Sequence, residues 1–172
     1  LETIRTKLNN ILKTSNTGAI VKNGSKVLIL GKPNVGKSSL LNAILNYDRA
    51  IVTSIKGTTR DILEETYTYK GVKFILTDTA GLHEAQDEVE KIGIEKAREA
   101  VNYADVILLV LDNTNELEDE DKEILTLVDD KNTIVVKNKC DLSSKLDLSN
   151  YHFKHMVDVS ALNKKGVEEL KQ

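Results

Sequence analysis

Short apolar runs alternate with amphipathic segments along most of the chain, and this alternation predicts strands followed by helices. The run "KVLIL" at 26–30 is wholly apolar except for its first residue and ends at a glycine, as expected of a buried strand, and "KSSLLNAIL" after it has helical spacing. The same reasoning predicts strands in "DVILLVLD" (105–112), "NTIVVKNK" (132–139) and "HMVDVS" (155–160), and helices in "EKIGIEKAREAVNYA" (90–104), "LEDEDKEILTLVDD" (117–130) and from Val167 onward.

Two strand-like segments in "DILEETYTYKGVKFILTDTAG" (61–81) flank Lys70-Gly71, a dipeptide suited to a hairpin turn. That pair is expected to be antiparallel. The remaining strands are each separated by a helix, a pattern typical of parallel strands with helices on both faces. The sequence therefore predicts an α/β fold with a mostly parallel six-stranded sheet and one antiparallel edge strand.

The first residues form a separate element in this interpretation. Apolar residues at helical spacing predict an amphipathic helix in "LETIRTKLNNILK", and the turn-forming "TSNTGAIVKNG" that follows reads as a linker. We therefore divide the chain into residues 1–24, helix and linker, and residues 25–172, the main domain, whose last helix is incomplete. The apolar positions of the first helix are Leu1, Ile4, Leu8, Ile11 and Leu12.

Composition limits the classes of function. A chain of 172 residues with 40% hydrophobic and 30% charged residues suits one compact domain, and no apolar run approaches the roughly 18 residues that span a bilayer. A net charge of −3 offers no basic surface for nucleic acid. The single Cys140 and the lack of a charged-then-apolar leader favour a reducing compartment. We expect a cytoplasmic protein with no membrane contact and no direct RNA binding by this segment.

The segment "GKPNVGKS" at 31–38 interrupts the apolar pattern between a predicted strand and a predicted helix. It fits the pattern G-x-x-x-x-G-K-[ST], in which successive backbone N–H groups curve around a polyphosphate. The helix N-terminus adds partial positive charge, Lys37 reaches the outer phosphates, and Ser38 can ligate Mg²⁺. A strand-to-helix turn with an accidental lysine is the alternative. We call residues 31–38 the phosphate loop.

Three further motifs each follow a predicted strand. In "DTAG" at 78–81, Asp78 can bind the water shell of a metal ion and the backbone of Gly81 can approach a γ-phosphate. In "NKCD" at 138–141, the Asp141 carboxylate can accept hydrogen bonds from the N1–H and the 2-amino group of guanine, which adenine lacks. The stem of Lys139 can cover the base, and "SAL" at 160–162 can donate a backbone N–H to the guanine oxygen. Each motif alone could be a polar turn or a helix cap. In this order, each at the end of a strand, they indicate guanine nucleotide binding.

Together with a switch threonine in "GTTRD" (57–61), these motifs resemble the translation-factor-like branch of the Ras-like P-loop GTPases. The resemblance implies an enzyme that hydrolyses GTP, with GTP and GDP as ligands. The nucleotide-binding residues that it implies are Asn34, Val35, Gly36, Lys37, Ser38, Ser39, Thr53, Ser54, Ile55, Lys56, Gly57, Thr58, Thr59, Asp78, Thr79, Ala80, Gly81, Asn138, Lys139, Asp141, Ser160, Ala161 and Leu162.

Leu82 stands directly after "DTAG", where a Ras-like enzyme has a glutamine that orients water. "GTTRD" and "DTAGLHEAQDEVEKIGIEKA" (78–97) are similar to the GTP-binding domain of the MnmE (TrmE) family of tRNA wobble-uridine modification GTPases, a potassium-dependent branch. That resemblance implies Glu90 and Lys37 as catalytic residues, although without it Glu90 is one of several acidic residues near a helix start. The ligands implied are Ser38 and Thr59 for Mg²⁺, with Asp78 through water, and Asn34, Thr53, Ile55 and Thr58 for K⁺.

The resemblance also implies partners. Two GTP-binding domains would form a homodimer across their switch faces with K⁺ and nucleotide bound, and the full-length protein would act with the flavoprotein MnmG (GidA) on tRNA. The first helix, residues 1–13, would be a remnant of a helical domain. Two other hypotheses about the function stay open. Leu82 suits a GTP-dependent docking switch with negligible turnover, and a ribosome-assembly GTPase of the Era or Der type shares the phosphate loop, although Ala80 departs from the proline usual in Era-like proteins.

Overall fold

The computed structural model describes residues 24–46, 63–78, 90–128 and 132–171. Within these ranges the chain folds as a six-stranded sheet in the order β2-β3-β1-β4-β5-β6, with only the β2–β3 pair antiparallel. This confirms the predicted sheet. The strands are β1 Ser25–Leu30, β2 Leu63–Tyr69, β3 Val72–Asp78, β4 Val106–Asp112, β5 Thr133–Asn138 and β6 His155–Val159. The helix predicted at residues 1–13 lies outside the described ranges.

Four helices follow the strands in the described part of the chain, each close to where the apolar spacing predicts it. They are α1 Lys37–Asn46, α2 Glu90–Tyr103, α3 Asp119–Val128 and α4 Val167–Leu170. None of the described helices is long and apolar enough to cross a membrane.

From Val27 in β1 and from Ile107 in β4 the central strands are buried on both faces, because side chains that alternate along each strand enter two different apolar clusters. In β1, Val27 and Ile29 pack with residues of α1 on one face, whereas Leu28 and Leu30 pack with residues of α2 and α3 on the other. This arrangement explains why β1 and β4 are continuous apolar runs and not alternating ones.

The edge hairpin closes at Lys70 and Gly71, whose φ angles are 49° and 82°. Positive φ at both central residues is the requirement of a two-residue type I′ turn, which matches the twist of the flanking strands. The turn sets the register of the pair, with Leu63 opposite Asp78.

The last strand ends at Val159, one residue earlier than predicted. Ser160 leaves the sheet because its backbone pairs with Lys165 in both directions, at 3.0 and 3.1 Å. This closes the segment after β6 into a tight loop at the carboxyl edge of the sheet. The carboxyl ends of the parallel strands meet at that edge, where crevices for ligands form in open α/β sheets.

Candidate functional site

The phosphate loop leaves β1 at the carboxyl edge of the sheet and enters α1 at Lys37. The first helical hydrogen bond runs from Leu40 N to Gly36 O at 2.9 Å, so the backbone N–H groups of the preceding turn remain directed out of the helix start. Val35 is buried and pins the loop to the core, while Asn34 is exposed with a φ of 63°. The loop therefore has the geometry that favours an anion at a helix N-terminus.

Lys37 is held against its own loop. Its ammonium donates to the carbonyl oxygens of Gly31 and Lys32, at 2.7 and 2.9 Å, and the residue is only 5% exposed. Two carbonyl acceptors fix the position of the charge before any ligand arrives. A lysine fixed in this way costs little reorganisation when it meets a phosphate.

Asn138 connects three loops at the site. Its side-chain amide donates to Val35 O at 2.8 Å, and its carbonyl oxygen accepts from Ala161 N at 3.1 Å. The residue is 2% exposed, so neither bond competes with bulk water. The phosphate loop, the "NKCD" turn and the "SAL" turn are thereby held as one unit.

Gly36 lies directly against this brace. Its φ is 99°, and a Cβ atom added there would collide with Nδ2 of Asn138. A side chain at this position would therefore displace the asparagine or the loop. The second glycine of the motif is required by this close approach as well as by its backbone angle.

Lys139 lies across the top of the phosphate loop. Its ammonium donates to Asn34 O at 3.2 Å and forms an ion pair with Asp112 Oδ2 at 2.5 Å. The first contact joins the "NKCD" turn to the phosphate loop and the second joins it to the end of β4. The two contacts fix the ammonium end of the side chain, whose stem is the predicted cover for a base.

Asp112 is a site residue that the sequence reasoning missed. Burial alone would raise the pKa of its carboxyl, but hydrogen bonds from Lys139 and Thr114, with the charge of Lys139, outweigh burial and lower that pKa. Its Oδ1 accepts from the N–H and the hydroxyl of Thr114, at 2.9 and 2.6 Å. The signal that could have found Asp112 is its position as the only charged residue of "VILLVLD", at the carboxyl end of a predicted strand.

The predicted guanine-binding residues lie side by side. Asp141 is exposed beyond the end of β5, and Cys140 N donates to Val159 O at 3.1 Å, which brings the turn after β5 next to the turn after β6. Ala161 is buried, whereas Leu162 is 86% exposed. An exposed carboxylate beside a fixed backbone turn can receive the edge of a purine.

The predicted metal ligands lie only partly within the described residues. Ser38 is the second residue of α1, and Asp78 ends β3 opposite Ile29 of β1, which places both at the carboxyl edge of the sheet beside the phosphate loop. A serine hydroxyl and a carboxylate are hard oxygen donors of the kind that Mg²⁺ takes, so this part of the set fits the ion. In the described ranges no group of three or more His, Cys, Asp or Glu side chains could hold a metal by itself.

Several predicted site residues lie outside the described residues, and Glu90 is described only as the first residue of α2. For the K⁺ set, Asn34 alone is within the described ranges. The predicted residues outside them are Thr53, Ser54, Ile55, Lys56, Gly57, Thr58, Thr59, Thr79, Ala80 and Gly81.

Comparison with curated proteins finds close relatives. The tRNA modification GTPase MnmE of Natranaerobius thermophilus is 43% identical over 100% of this chain and 38% of the relative. The protein of the same name from Aquifex aeolicus is 48% identical over 96% of this chain and 37% of the relative. The chain thus spans little more than a third of the length of these relatives. The resemblance to MnmE inferred from the sequence is confirmed.

Solved structures agree on the fold. A variant of Aquifex aeolicus Era bound to GDP·AlF4⁻ is 32% identical, with a TM-score of 0.65, over 86% of this chain and 54% of that one. The G domain of the T. maritima FeoB iron transporter is 29% identical, with a TM-score of 0.62, over 86% of this chain and 94% of that one. The predicted P-loop GTPase fold is confirmed.

Residues 26–139 match the model of the family described as 50S ribosome-binding GTPase. This range begins in β1, includes the phosphate loop and ends at Lys139, next to the brace that Asn138 forms. The match covers well over half of the chain and agrees with the prediction of a GTP-hydrolysing enzyme. The chain belongs to this family of GTPases.

Proposed function

We propose that this chain is the GTP-binding and GTP-hydrolysing domain of a tRNA-modification enzyme, in which K⁺ stimulates hydrolysis and domain pairing. The observation that carries the nucleotide part is the position of Asn138, which contacts the phosphate loop and the "SAL" turn at once. One ligand with a phosphate end and a guanine end would contact all three loops. The similarity to proteins named tRNA modification GTPase MnmE supports the role in tRNA modification.

In this proposal Lys37 carries charge to the outer phosphates, and Asp141 selects guanine. The cations, when bound, supply positive charge that neutralises the phosphates as the terminal bond breaks. Ser38 and Thr59 would ligate Mg²⁺, with Asp78 acting through water, and Asn34, Thr53, Ile55 and Thr58 would hold K⁺. Of the proposed K⁺ ligands, Asn34 alone lies within the described residues, where Lys139 donates to its carbonyl oxygen and its φ is 63°.

Hydrolysis requires a group that orients water, and Leu82 cannot do so. We assign this task to Glu90, which begins α2. A carboxylate at a helix start is stabilised by the partial positive charge there. In this proposal the site is completed by two segments that we call the switch segments. They are residues 53–59 and residues 79–90, which end with Glu90.

The partners belong to the longer protein. We propose that two copies pair through their GTP-binding domains, and that the full-length protein works with the flavoprotein MnmG on the wobble uridine of tRNA. The net charge of −3 agrees with tRNA being held elsewhere than on this segment. The cytoplasmic location stays a prediction.

Single-turnover hydrolysis of GTP in KCl and in NaCl tests the proposal. We expect a clear rate increase in KCl, and loss of that increase in Glu90→Gln. Glu99→Gln is the matched control, since Glu99 is an exposed carboxylate on the same helix. The state of the domain with GDP and aluminium fluoride, measured by analytical ultracentrifugation, should be dimeric only in KCl. Equal rates in both salts and a monomer in both would refute the K⁺ mechanism.

A second function follows from Leu82. If hydrolysis is negligible in every salt, while the GTP-bound and GDP-bound forms of the domain bind different partners, the domain acts as a docking switch. The single-turnover experiment separates the two functions, because a switch without turnover releases no phosphate from bound GTP in KCl. GTP binding itself is common to both.

A further inference from the structure

Lys32 directly follows the first glycine of the phosphate loop, and its side chain reaches Glu118 and Asp121 at the N-terminus of α3. Its ammonium forms ion pairs with Asp121 Oδ2 at 2.8 Å and with Glu118 Oε2 at 2.9 Å. The side chain of Lys32 is 10% exposed and that of Asp121 only 4%. The loop and α3 are therefore joined by a buried ion pair across 89 residues of sequence.

Asp121 does two things with one oxygen. Its Oδ2 accepts from Glu118 N at 3.0 Å, which caps the first turn of α3, and it receives the Lys32 ammonium. This is half of a capping box, in which the third helical residue reaches back to the N-cap N–H. Within the described residues Oδ1 of Asp121 has no hydrogen-bond partner. A helix cap alone does not need a buried lysine on the same oxygen.

The pair is connected to the phosphate site through the backbone of Lys32. The carbonyl oxygen of Lys32 accepts from the ammonium of Lys37 at 2.9 Å, so the residue that α3 holds is also the residue that positions the phosphate-binding lysine. Pro33 follows, which restricts the backbone of Lys32 to extended conformations. A shift of the Lys32 side chain is therefore expected to move the Lys32 backbone, and with it the carbonyl oxygen that holds the Lys37 ammonium.

Resting on the proposed nucleotide site, we propose that the Lys32–Asp121 pair positions the phosphate loop, and that Lys32 is a positioning residue for bound guanine nucleotide. Lys32→Met leaves the buried Asp121 carboxylate without its counter-charge, and Asp121→Asn leaves Lys32 with only the exposed Glu118 as a partner, so in either case the loop or the helix must shift. Because the backbone of the phosphate loop is then no longer held in one conformation, bound guanine nucleotide should dissociate faster. Encounter with nucleotide should change less, since Lys32 is neutralised by two carboxylates and adds little to the field at the crevice.

The experiment measures association and dissociation of a fluorescent GDP analogue by stopped flow, using the whole chain. Lys32→Met and Asp121→Asn are each expected to raise the dissociation rate constant by about tenfold or more, with the association rate constant changed by less than about threefold. Lys32→Arg should keep dissociation within about threefold of wild type, because it restores the charge. The double variant should show much less than the product of the two single effects.

The control pair lies on the same helix. Lys122 and Asp119 form an ion pair of the same length, 2.8 Å, but both side chains are exposed. Lys122→Met and Asp119→Asn should change dissociation by less than about twofold, because exposed pairs contribute little. Unfolding midpoints of all variants are recorded beside the rates, so that loss of stability and loss of positioning are separated.

Three results would overturn the proposal. The first is wild-type dissociation in a folded Lys32→Met, whatever its stability, since the pair would then be only structural. The second is an Arg variant as defective as the Met variant. The third is an equal effect in the control pair. If Lys32→Met does not fold, Asp121→Asn decides in the same way, because asparagine keeps the volume and an acceptor for Glu118 N.

Discussion

The side-chain amide of Asn138 donates a 2.8 Å hydrogen bond to the carbonyl oxygen of Val35, 103 residues earlier in the chain. Both partners are buried, and the amide oxygen of the same asparagine receives Ala161 N. One side chain thus satisfies buried backbone groups from two loops. The phosphate-binding and base-binding parts of the site are mechanically connected through it.

Asn138→Ala should therefore weaken both folding and nucleotide binding. It leaves Val35 O and Ala161 N without partners in the interior, at an expected cost of about 1–3 kcal/mol in the free energy of unfolding for each group that stays dry. GDP affinity, measured by calorimetry, should fall by at least about tenfold at the same time. Asn150→Ala is the control, because Asn150 is exposed and its loss should change neither quantity. Unaltered affinity in folded Asn138→Ala would contradict the bracing role.

Gly36→Ala tests close packing at the brace, with Gly71→Ala as its matched control. Both glycines have positive φ, 99° and 82°, but a Cβ at Gly36 collides with Asn138 whereas a Cβ at Gly71 has no atom within 4 Å. Gly71→Ala should cost about 1 kcal/mol from backbone strain alone and leave GDP binding intact. Gly36→Ala should cost more and should lose GDP binding. Thermal unfolding with calorimetry distinguishes the two, and equal effects would argue against the collision.

Asp141→Asn should change which base is preferred. A carboxylate accepts from two guanine donors, while an amide offers one donor and one acceptor and suits xanthine better. We expect GTP affinity to fall by about 100-fold and XTP binding to appear. Asp147→Asn, an exposed carboxylate in the following loop, is the control. Competition of each nucleotide against labelled GDP gives the ratio, and unchanged GTP selectivity would remove Asp141 from the site.

Asp112→Asn should change the response of stability to acid. The pKa of Asp112 is lowered from 3.8 in the folded protein, so the ionised form favours folding. That contribution is present above pH 3.8 and is lost as the pH falls through the lower folded-state pKa. The variant should accordingly lose less free energy of unfolding than wild type over this acidic range, as measured by denaturant titration at several pH values.

At neutral pH the same variant should bind GDP more weakly, because Lys139 loses the charge that holds its ammonium. Asp119→Asn, which removes a fully exposed carboxylate, should bind GDP like wild type. A parallel acid response in wild type and Asp112→Asn would contradict the assigned coupling of Asp112 to Lys139.

The strands and most helix positions could be predicted from residue pattern alone. Continuous apolar runs such as 106–111 are buried on both faces, and Gly71 is the residue type that a tight hairpin turn with positive φ favours. The end of β6 was predicted one residue late, because the pairing of Ser160 with Lys165 depends on a turn whose closure local apolarity does not encode. Motif positions within the described ranges were likewise predictable, since each motif follows a strand.

The fold class, the order of the phosphate and guanine motifs and the family resemblance follow from the residue pattern, because they depend on local spacing and on residue types with few alternative uses. The pairing of Asp112 with Lys139 and of Lys32 with Asp121 follows only from the folded chain. Those partners lie 27 and 89 residues apart, on surfaces that meet only after the sheet has formed. An isolated carboxylate or lysine in a sequence looks like a solvated charge, and only burial beside its partner gives it a function.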